Sequence, residues 1–142
     1  MVNVGQLVRE EQGDEDVVLV GFGSYRGSVI AGARWGAPMQ RMTVPPAREG
    51  SWEDLLHAAS EGDRLLIFSG AQEEDGLLEP RAHRAIGVVY DPARERHGNY
   101  VPTVLPHRYD AFVYLDQSQA LRPFGRRPRE DGEPPETFPS GE

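Results

Sequence analysis

The sequence predicts an α/β domain, a mixed β-sheet flanked by helices, followed by a disordered C-terminal tail. Short apolar runs at 17–22, 64–68 and 111–116 are typical of buried strands, because they are too short to form packed helices. Two other segments combine capping residues with apolar residues at helical spacing. Strands and helices that alternate in this way favour helices packed on a sheet.

The first predicted helix covers residues 3–12. Asn3 and Gln6 have the spacing of a capping box, and Gly13 ends the apolar pattern. An acidic turn then leads into the strand at 17–22, and we expect a glycine-containing loop after that strand.

The next segment is predicted to be a β-hairpin. Residues 28–33 allow two interpretations, since Val29–Ile30 favours a strand whereas Ser28 could cap a helix. Residues 39–44 alternate between apolar and polar side chains as a half-exposed strand does, so we prefer the hairpin, closed by Pro45–Pro46.

The second predicted helix begins at a capping box formed by Ser51 and Asp54 and ends before Gly62. Its apolar stripe consists of Trp52, Leu55, Leu56 and Ala59. The strand at 64–68 follows, and the polar segment after it is expected to be a loop.

A third buried strand is predicted at 84–90, where Asp91–Pro92 ends it. Residues 93–108 are rich in charge and turn formers, and the last strand covers 111–116. We therefore predict one domain at 1–122.

Residues 123–142 consist mainly of proline, glycine and charged side chains. Such a composition cannot bury enough apolar surface to order itself, so this segment is predicted to be a disordered tail.

The composition excludes several function classes. A net charge of −8 argues against nucleic acid as a partner, because phosphate contacts need a basic surface. The chain has no cysteine and no lysine, which removes thiolate chemistry, zinc–sulfur sites and Schiff-base lysines. Neither a membrane-spanning run nor a signal peptide is evident, so we expect a cytoplasmic protein without a membrane partner.

The glycines at 21, 23 and 27 suggest a dinucleotide-binding loop, but the third glycine comes one position late. The next predicted strand also lacks a terminal acidic residue, so we expect no cofactor. An alternative is a polar loop that presents Ser24, Tyr25 and Arg26 to a cleft, where arginine could bind a carboxylate and the phenol could donate a hydrogen bond. A simple turn would have the same residues.

The four histidines do not predict a metal site. His57 is expected on a helix surface, and His83 and His97 in solvated loops. His107 precedes the last strand and is the only histidine placed at a sheet end, which makes it a candidate substrate-binding residue. No histidine pair has the helical spacing of metal ligands.

Several segments, taken in order, resemble the C-terminal part of the erythromycin esterase family. The resemblance covers residues 3 to 122 and rests on 3–10 (Asn-Val-Gly-Gln-Leu-Val-Arg-Glu), 17–29, Trp35–Pro38, Pro45–Ala47, Gly50–Glu53, Arg84–Tyr90 and Tyr109–Phe112.

This resemblance implies an α/β scaffold and hydrolysis of an ester, in the named members a macrolide lactone, by a water that a histidine activates. It also implies that the histidine and glutamate motifs lie N-terminal to the segment seen here, so no catalytic residue can be assigned. Ser24, Tyr25, Arg26 and His107 are then candidates for lining the cleft that binds a small-molecule ester.

Two hypotheses about function follow. The chain is either the C-terminal portion of such a hydrolase, inactive without a catalytic N-terminal half, or a non-catalytic interaction module derived from that fold. In the second case a partner or a second copy is expected to cover an exposed face.

Overall fold

The computed structural model describes residues 4–59, 62–68 and 76–121. The helices are α1 (Val4–Gln12), α2 (Trp52–Ala59), α3 (Glu95–Gly98) and α4 (Leu105–Arg108), with a 3-10 turn at Asp14–Asp16. The strands are β1 (Val20–Ala31), β2 (Gln40–Val44), β3 (Arg64–Ile67), β4 (Arg81–Arg84), β5 (Tyr100–Thr103) and β6 (Ala111–Ser118). The predicted tail at 123–142, Asn3 of the first capping box and most of the loop after β3 lie outside the described residues.

Four strands form a mixed sheet in the order β2-β1-β6-β3, which confirms the predicted fold class. β1 and β6 are parallel, with Val20 opposite Ala111 and Gly27 opposite Ser118. β2 and β3 pair antiparallel with β1 and β6 respectively. β4 and β5 form a separate antiparallel ribbon.

The predicted hairpin is confirmed, since β1 and β2 pair antiparallel from Gly27 opposite Val44 to Ala31 opposite Gln40. The prediction of a loop after residue 22 is wrong, because β1 continues without interruption through that segment to Ala31. Ladder pairing to β6 continues past Gly23, opposite Tyr114, and only Gly27 of these glycines has a positive φ, at 142°.

The strand predicted at 84–90 is also wrong in position. β4 ends at Arg84, and the following segment touches the main sheet through a single parallel bridge between Gly32 and Val89. Its backbone groups bond instead to separate elements, for example the Ala85 N–H to the Asn99 carbonyl at 2.7 Å. The apolar run is therefore a connection whose hydrogen bonds do not form one ladder, with Tyr90 buried and Gly87 and Val88 exposed.

The two predicted helix boundaries within the described residues are confirmed. Gly13 follows α1 with φ 92°, and its N–H donates to the Arg9 carbonyl at 2.8 Å. At α2 the Asp54 N–H donates to the Ser51 hydroxyl at 3.3 Å, and the Asp54 carboxylate accepts from the Gly50 N–H at 2.9 Å. These side chains satisfy N–H groups that the first helical turn leaves unpaired.

The sheet has two unlike faces. The inner face carries Gly21, Gly23, Leu66, Phe112 and Tyr114, and α2 packs over it. The main core forms there from Trp52, Leu56, Phe68, Leu105, Phe112 and Tyr114. A second core, of Ala31, Met42, Val44 and Tyr90, lies beside the hairpin.

The outer face carries the alternate residues of the same strands, among them Val20, Phe22, Leu65, Ile67 and Val113. No helix in residues 4–59, 62–68 or 76–121 is both long and apolar enough to cross a lipid bilayer.

Candidate functional site

The three residues predicted to form a polar loop lie in the middle of β1. Arg26 is exposed, whereas Ser24 and Tyr25 are half-buried. The carbonyl oxygens of Ser24 and Tyr25 accept hydrogen bonds from the Arg84 guanidinium, at 2.7 and 2.9 Å. Their backbone is therefore used to hold a buried arginine, and only their side chains remain available for a ligand.

The side chain of Tyr25 belongs to a cluster around His57, which we call the His57 cluster. The two rings are stacked, with centroids 3.7 Å apart and planes 5° from parallel. His57 Nδ1 lies 2.6 Å from Asp116 Oδ1, and the Tyr114 hydroxyl donates to the same oxygen at 3.0 Å. An imidazole held by a carboxylate in this way has a fixed orientation, with its other nitrogen directed away from Asp116.

His57 lies in the last turn of α2, and Asp116 lies in β6. The hydrogen bond from His57, followed by that from Tyr114, lowers the pKa of Asp116 below its usual value. Burial and the Asp116 carboxylate raise the pKa of Tyr114. The side chains of His57 and Asp116 are 38% and 24% exposed, so this cluster reaches solvent.

A second group of charges is buried between α2, β1 and the ribbon. The Arg84 side chain is 3% exposed, and its Nε donates to Glu95 Oε1 at 2.6 Å. The guanidinium nitrogen Nη2 of Arg84 also donates to the Pro45 carbonyl at 2.9 Å. One guanidinium therefore joins β4, α3, β1 and the segment after β2, a task that its planar set of donors suits.

A buried chain of hydrogen bonds begins beside Arg84, at Glu53 of α2. Glu53 Oε1 lies 2.6 Å from His83 Nδ1 and accepts from the Arg84 N–H at 3.0 Å. His83 Nε2 lies 3.4 Å from the Tyr109 hydroxyl. The two contacts join the Glu53 carboxylate, the His83 ring and the Tyr109 phenol in one chain.

The prediction that His83 lies in a solvated loop is wrong, because its side chain is 5% exposed and that of Glu53 is fully buried. The sequence did contain a signal for Glu53. It stands three residues before Leu56, which places the two residues on the same side of α2. No comparable spacing identifies Arg84 or Glu95, since their positions follow from the ribbon and α3.

The same packing explains two of the three glycines that suggested a nucleotide loop. A Cβ on Gly21 would lie 2.6 Å from the Tyr109 ring, and one on Gly23 would lie 2.6 Å from the Phe112 ring and 3.1 Å from Glu53 Oε1. The glycines allow aromatic rings and a carboxylate to approach the backbone of β1 closely. Their spacing therefore records packing and needs no phosphate.

The fourth predicted residue, His107, is exposed and lies in α4. It lines an open cleft of about 750 Å³ between α1, the start of β1, β5 and α4, together with Arg9 and Arg108. Arg9 donates to Asp110 at 2.6 Å, and Asp110 also accepts from the Leu19 N–H at 2.6 Å. Ser24, Tyr25 and Arg26 are not among the residues that line this cleft.

The predicted residues thus divide between two places, the His57 cluster with Tyr25 and the cleft with His107. His97 is exposed, as predicted. Within the part of the chain that the structure describes, no three histidine or carboxylate side chains are grouped so as to hold a metal ion. The described residues therefore present the His57 imidazole in one place and the cleft lined by His107 in another. They do not bring a base, an electrophilic group and a carbonyl-binding site together.

A family model described as Erythromycin esterase matches residues 1–118. Two solved structures have a similar fold. One is titled as a succinoglycan biosynthesis protein and has a TM-score of 0.64 at 16% sequence identity. The match covers 83% of this chain and 28% of that structure's chain. The other is a Bacillus cereus protein with a TM-score of 0.64 at 15% sequence identity, and the match covers 81% of this chain and 28% of that structure's chain. The chain therefore spans little more than a quarter of the length of these structures.

Proposed function

This chain belongs to the erythromycin esterase family, and from that premise we propose that it is the C-terminal portion of an ester hydrolase whose reacting groups lie outside it. In the complete enzyme an activated water would attack the carbonyl carbon of a small-molecule ester or lactone. The portion described here would supply the sheet, part of the wall of the cleft and the charges that fix them. A cytoplasmic location is part of the proposal.

The observation that carries the proposal is the 28% share of the similar solved chains that this chain spans. The chemistry of the described side chains supports it. A hydrolase needs a base, an electrophilic group and a site for the carbonyl within reach of one another. Here His57 and His107 belong to separate places, and the Glu53–His83 pair is enclosed by protein.

We further propose that His107, with Arg9 and Arg108, lines the wall of the substrate cleft, where guanidinium groups could bind a polar substituent of the ester. Ser24, Tyr25 and Arg26 stay candidates for a second wall. Only Arg26 presents an exposed charged group there.

The isolated full chain is expected to show no hydrolysis of p-nitrophenyl acetate or of a macrolide lactone above the rate in buffer. Release of p-nitrophenolate and mass spectrometry of the macrolide measure the two reactions. His57→Ala and His107→Ala are the matched variants, and neither should change the result. Turnover by the isolated chain that His107→Ala abolishes would contradict the proposal, since the reacting group would then be in this chain.

A second candidate function is a non-catalytic interaction module, and the exposed outer face of the sheet favours it. In this case the chain would bind a partner or a second copy and never take part in hydrolysis. Light scattering across concentration, together with binding of a hydrophobic dye, tests this function. A strict monomer that binds no dye would exclude it.

A further inference from the structure

The outer face of the sheet is apolar, and no element among residues 4–59, 62–68 and 76–121 covers it. Val20, Phe22, Leu65 and Ile67 are 47%, 66%, 61% and 65% exposed. These are large side chains on strands, where an exposed face of a stable sheet usually alternates to polar residues. Four such side chains, on one face of β1 and β3 with β6 between them, form a patch of the kind that marks an interaction surface.

The strand register shows that the patch is continuous. Across the sheet, Phe22 of β1 stands opposite Val113 of β6, and Val113 stands opposite Leu65 of β3. One step along, Val20 stands opposite Ala111, which stands opposite Ile67. Side chains at such paired positions on one face are neighbours, so two adjacent apolar rows cross three strands.

The pairing of β1 with β6 indicates what kind of structure covers these rows. Parallel strands occur almost entirely in sheets covered on both faces, and their sequences are continuously apolar. Here the parallel pair has α2 on the inner face and no element of the described residues over Phe22 and Leu65. An amphipathic helix is the element that normally packs at this position.

We propose that the outer face is the docking surface for the rest of an erythromycin esterase-type fold, a helical layer that packs across Phe22, Val113 and Leu65. The inference rests on the proposed function and names the surface through which the two portions join. Nearly three quarters of each similar solved chain has no counterpart in this chain, which leaves ample length for such a layer. The apolar stripe of α1, with Val4 76% and Leu7 53% exposed, is a second uncovered apolar surface on this chain.

A second copy of this chain is the less suitable occupant. Each copy carries a net charge of −8, so two copies repel one another at low ionic strength. Two sheets packed face to face would also leave both copies short of the helical layer that parallel strands require. Association of identical chains is therefore an outcome that would overturn the proposal.

The test uses the full chain and, as probe, the tagged polypeptide encoded directly upstream of it. Co-expression should give a one-to-one complex by light scattering. Binding of 8-anilinonaphthalene-1-sulfonate to the isolated chain should fall when the complex forms. Phe22→Asp and Leu65→Asp should each raise the dissociation constant of the complex about 30-fold or more. Each substitution places a carboxylate at the centre of an apolar interface, where binding would bury it.

Leu121→Asp is the matched control, since Leu121 is 84% exposed and lies beyond the end of β6. It should leave affinity unchanged. Thermal melts of all three variants should match that of the parent chain, which shows that weakened binding does not come from unfolding. The proposal would be overturned if no such upstream polypeptide exists or if the two polypeptides form no complex. It would also be overturned if the three variants had equal effects on affinity, or if the isolated chain formed a dimer that Phe22→Asp disrupts.

The result for docking is separate from the result for hydrolysis. A complex that depends on Phe22 and Leu65 but does not hydrolyse esters would uphold the docking surface and refute the proposed function. Hydrolysis by the isolated chain would refute the proposed division of labour, and the affinity measurements would still decide the surface.

Discussion

The inner face of the sheet buries both the main apolar core and several paired polar side chains, whereas the outer face is apolar and exposed. On β1, Gly21 and Gly23 face the covered side, while Val20 and Phe22 face outward and are 47% and 66% exposed. On the covered side lie buried charges, each bonded to a named partner, among them the Arg84–Glu95 and His83–Glu53 pairs. The covered face thus combines an apolar core with polar groups that depend on partners from α2, α3 and the ribbon, and the open face is apolar.

Each face is matched to what packs against it. Burying a charge without a partner is costly, so the inner face requires its own helix and ribbon to be in place. The outer face needs only an apolar cover, which another segment can supply after folding. Substitutions on the two faces should therefore have opposite consequences for stability and for association.

The largest loss of stability is expected for Arg84→Met. The change leaves the buried Glu95 carboxylate without its cation and removes donors from the carbonyls of Ser24, Tyr25 and Pro45. Removing one partner of a buried pair typically costs about 3–5 kcal/mol. Urea denaturation followed by circular dichroism measures the free energy of unfolding.

Arg94→Met is the control for this change, because Arg94 is 87% exposed and lies 3.7 Å from Asp91. An exposed pair of this kind contributes about 0–1 kcal/mol. Equal stabilities of the two variants would mean that the buried network does not hold the ribbon to the sheet.

A smaller loss is expected for Gly23→Ala. The added methyl would lie 2.6 Å from the Phe112 ring, which must move within a packed core. Overpacking of this kind costs about 1–3 kcal/mol. Gly87→Ala is the matched control, since nothing lies within 4 Å of its added Cβ, and it should stay within about 0.5 kcal/mol of the parent.

Phe22→Thr, one residue earlier on the outer face, should also stay within about 0.5 kcal/mol in the isolated chain. The three thermal or urea midpoints compare the faces directly. A Phe22 variant as damaging as the Gly23 variant would show that the outer face is already covered in the isolated chain.

The smallest effect is expected at the His57 cluster and appears only with pH. The pKa of Asp116 is lowered in the folded protein from its usual 3.8, chiefly by the hydrogen bond with His57. Its contribution to stability is therefore fully present above about pH 4 and is lost as the pH falls through the lowered value. Asp116→Asn should flatten the acid limb of a plot of unfolding midpoint against pH. An identical acid limb in the parent and Asp116→Asn would contradict the assignment.

Much of the fold could be predicted because local patterns decide it. The capping residues and apolar spacing of 51–59 define α2, and the apolar runs define β3 and β6 within one or two residues. The hairpin followed from the alternation at 39–44. The site was less predictable. Candidates such as Tyr25 and His107 were assigned to one cleft, whereas they lie in the His57 cluster and beside the α1–α4 cleft.

The errors have physical causes. The run at 84–90 is apolar because Tyr90 and Ile86 pack into the second core, and an apolar run cannot reveal where its backbone bonds will go. The glycines of β1 gave a loop signal, although they serve close packing against Tyr109 and Phe112. Glycine occurs both in turns and where another group packs closely against the backbone, and the sequence does not show which group lies opposite.

The fold class, the family, the helix boundaries at Gly13 and Ser51 and the strands at 64–68 and 111–116 could be predicted from the sequence, since capping residues, apolar spacing and the order of motifs are all visible along the chain. Only the tertiary structure decided which side of each strand is covered, that Arg84 and Glu53 are buried, and that His57 meets Asp116. Those outcomes depend on elements up to about a hundred residues apart being brought together. Side-chain alternation along a strand is known from sequence, but which face becomes the interior is a property of the neighbours.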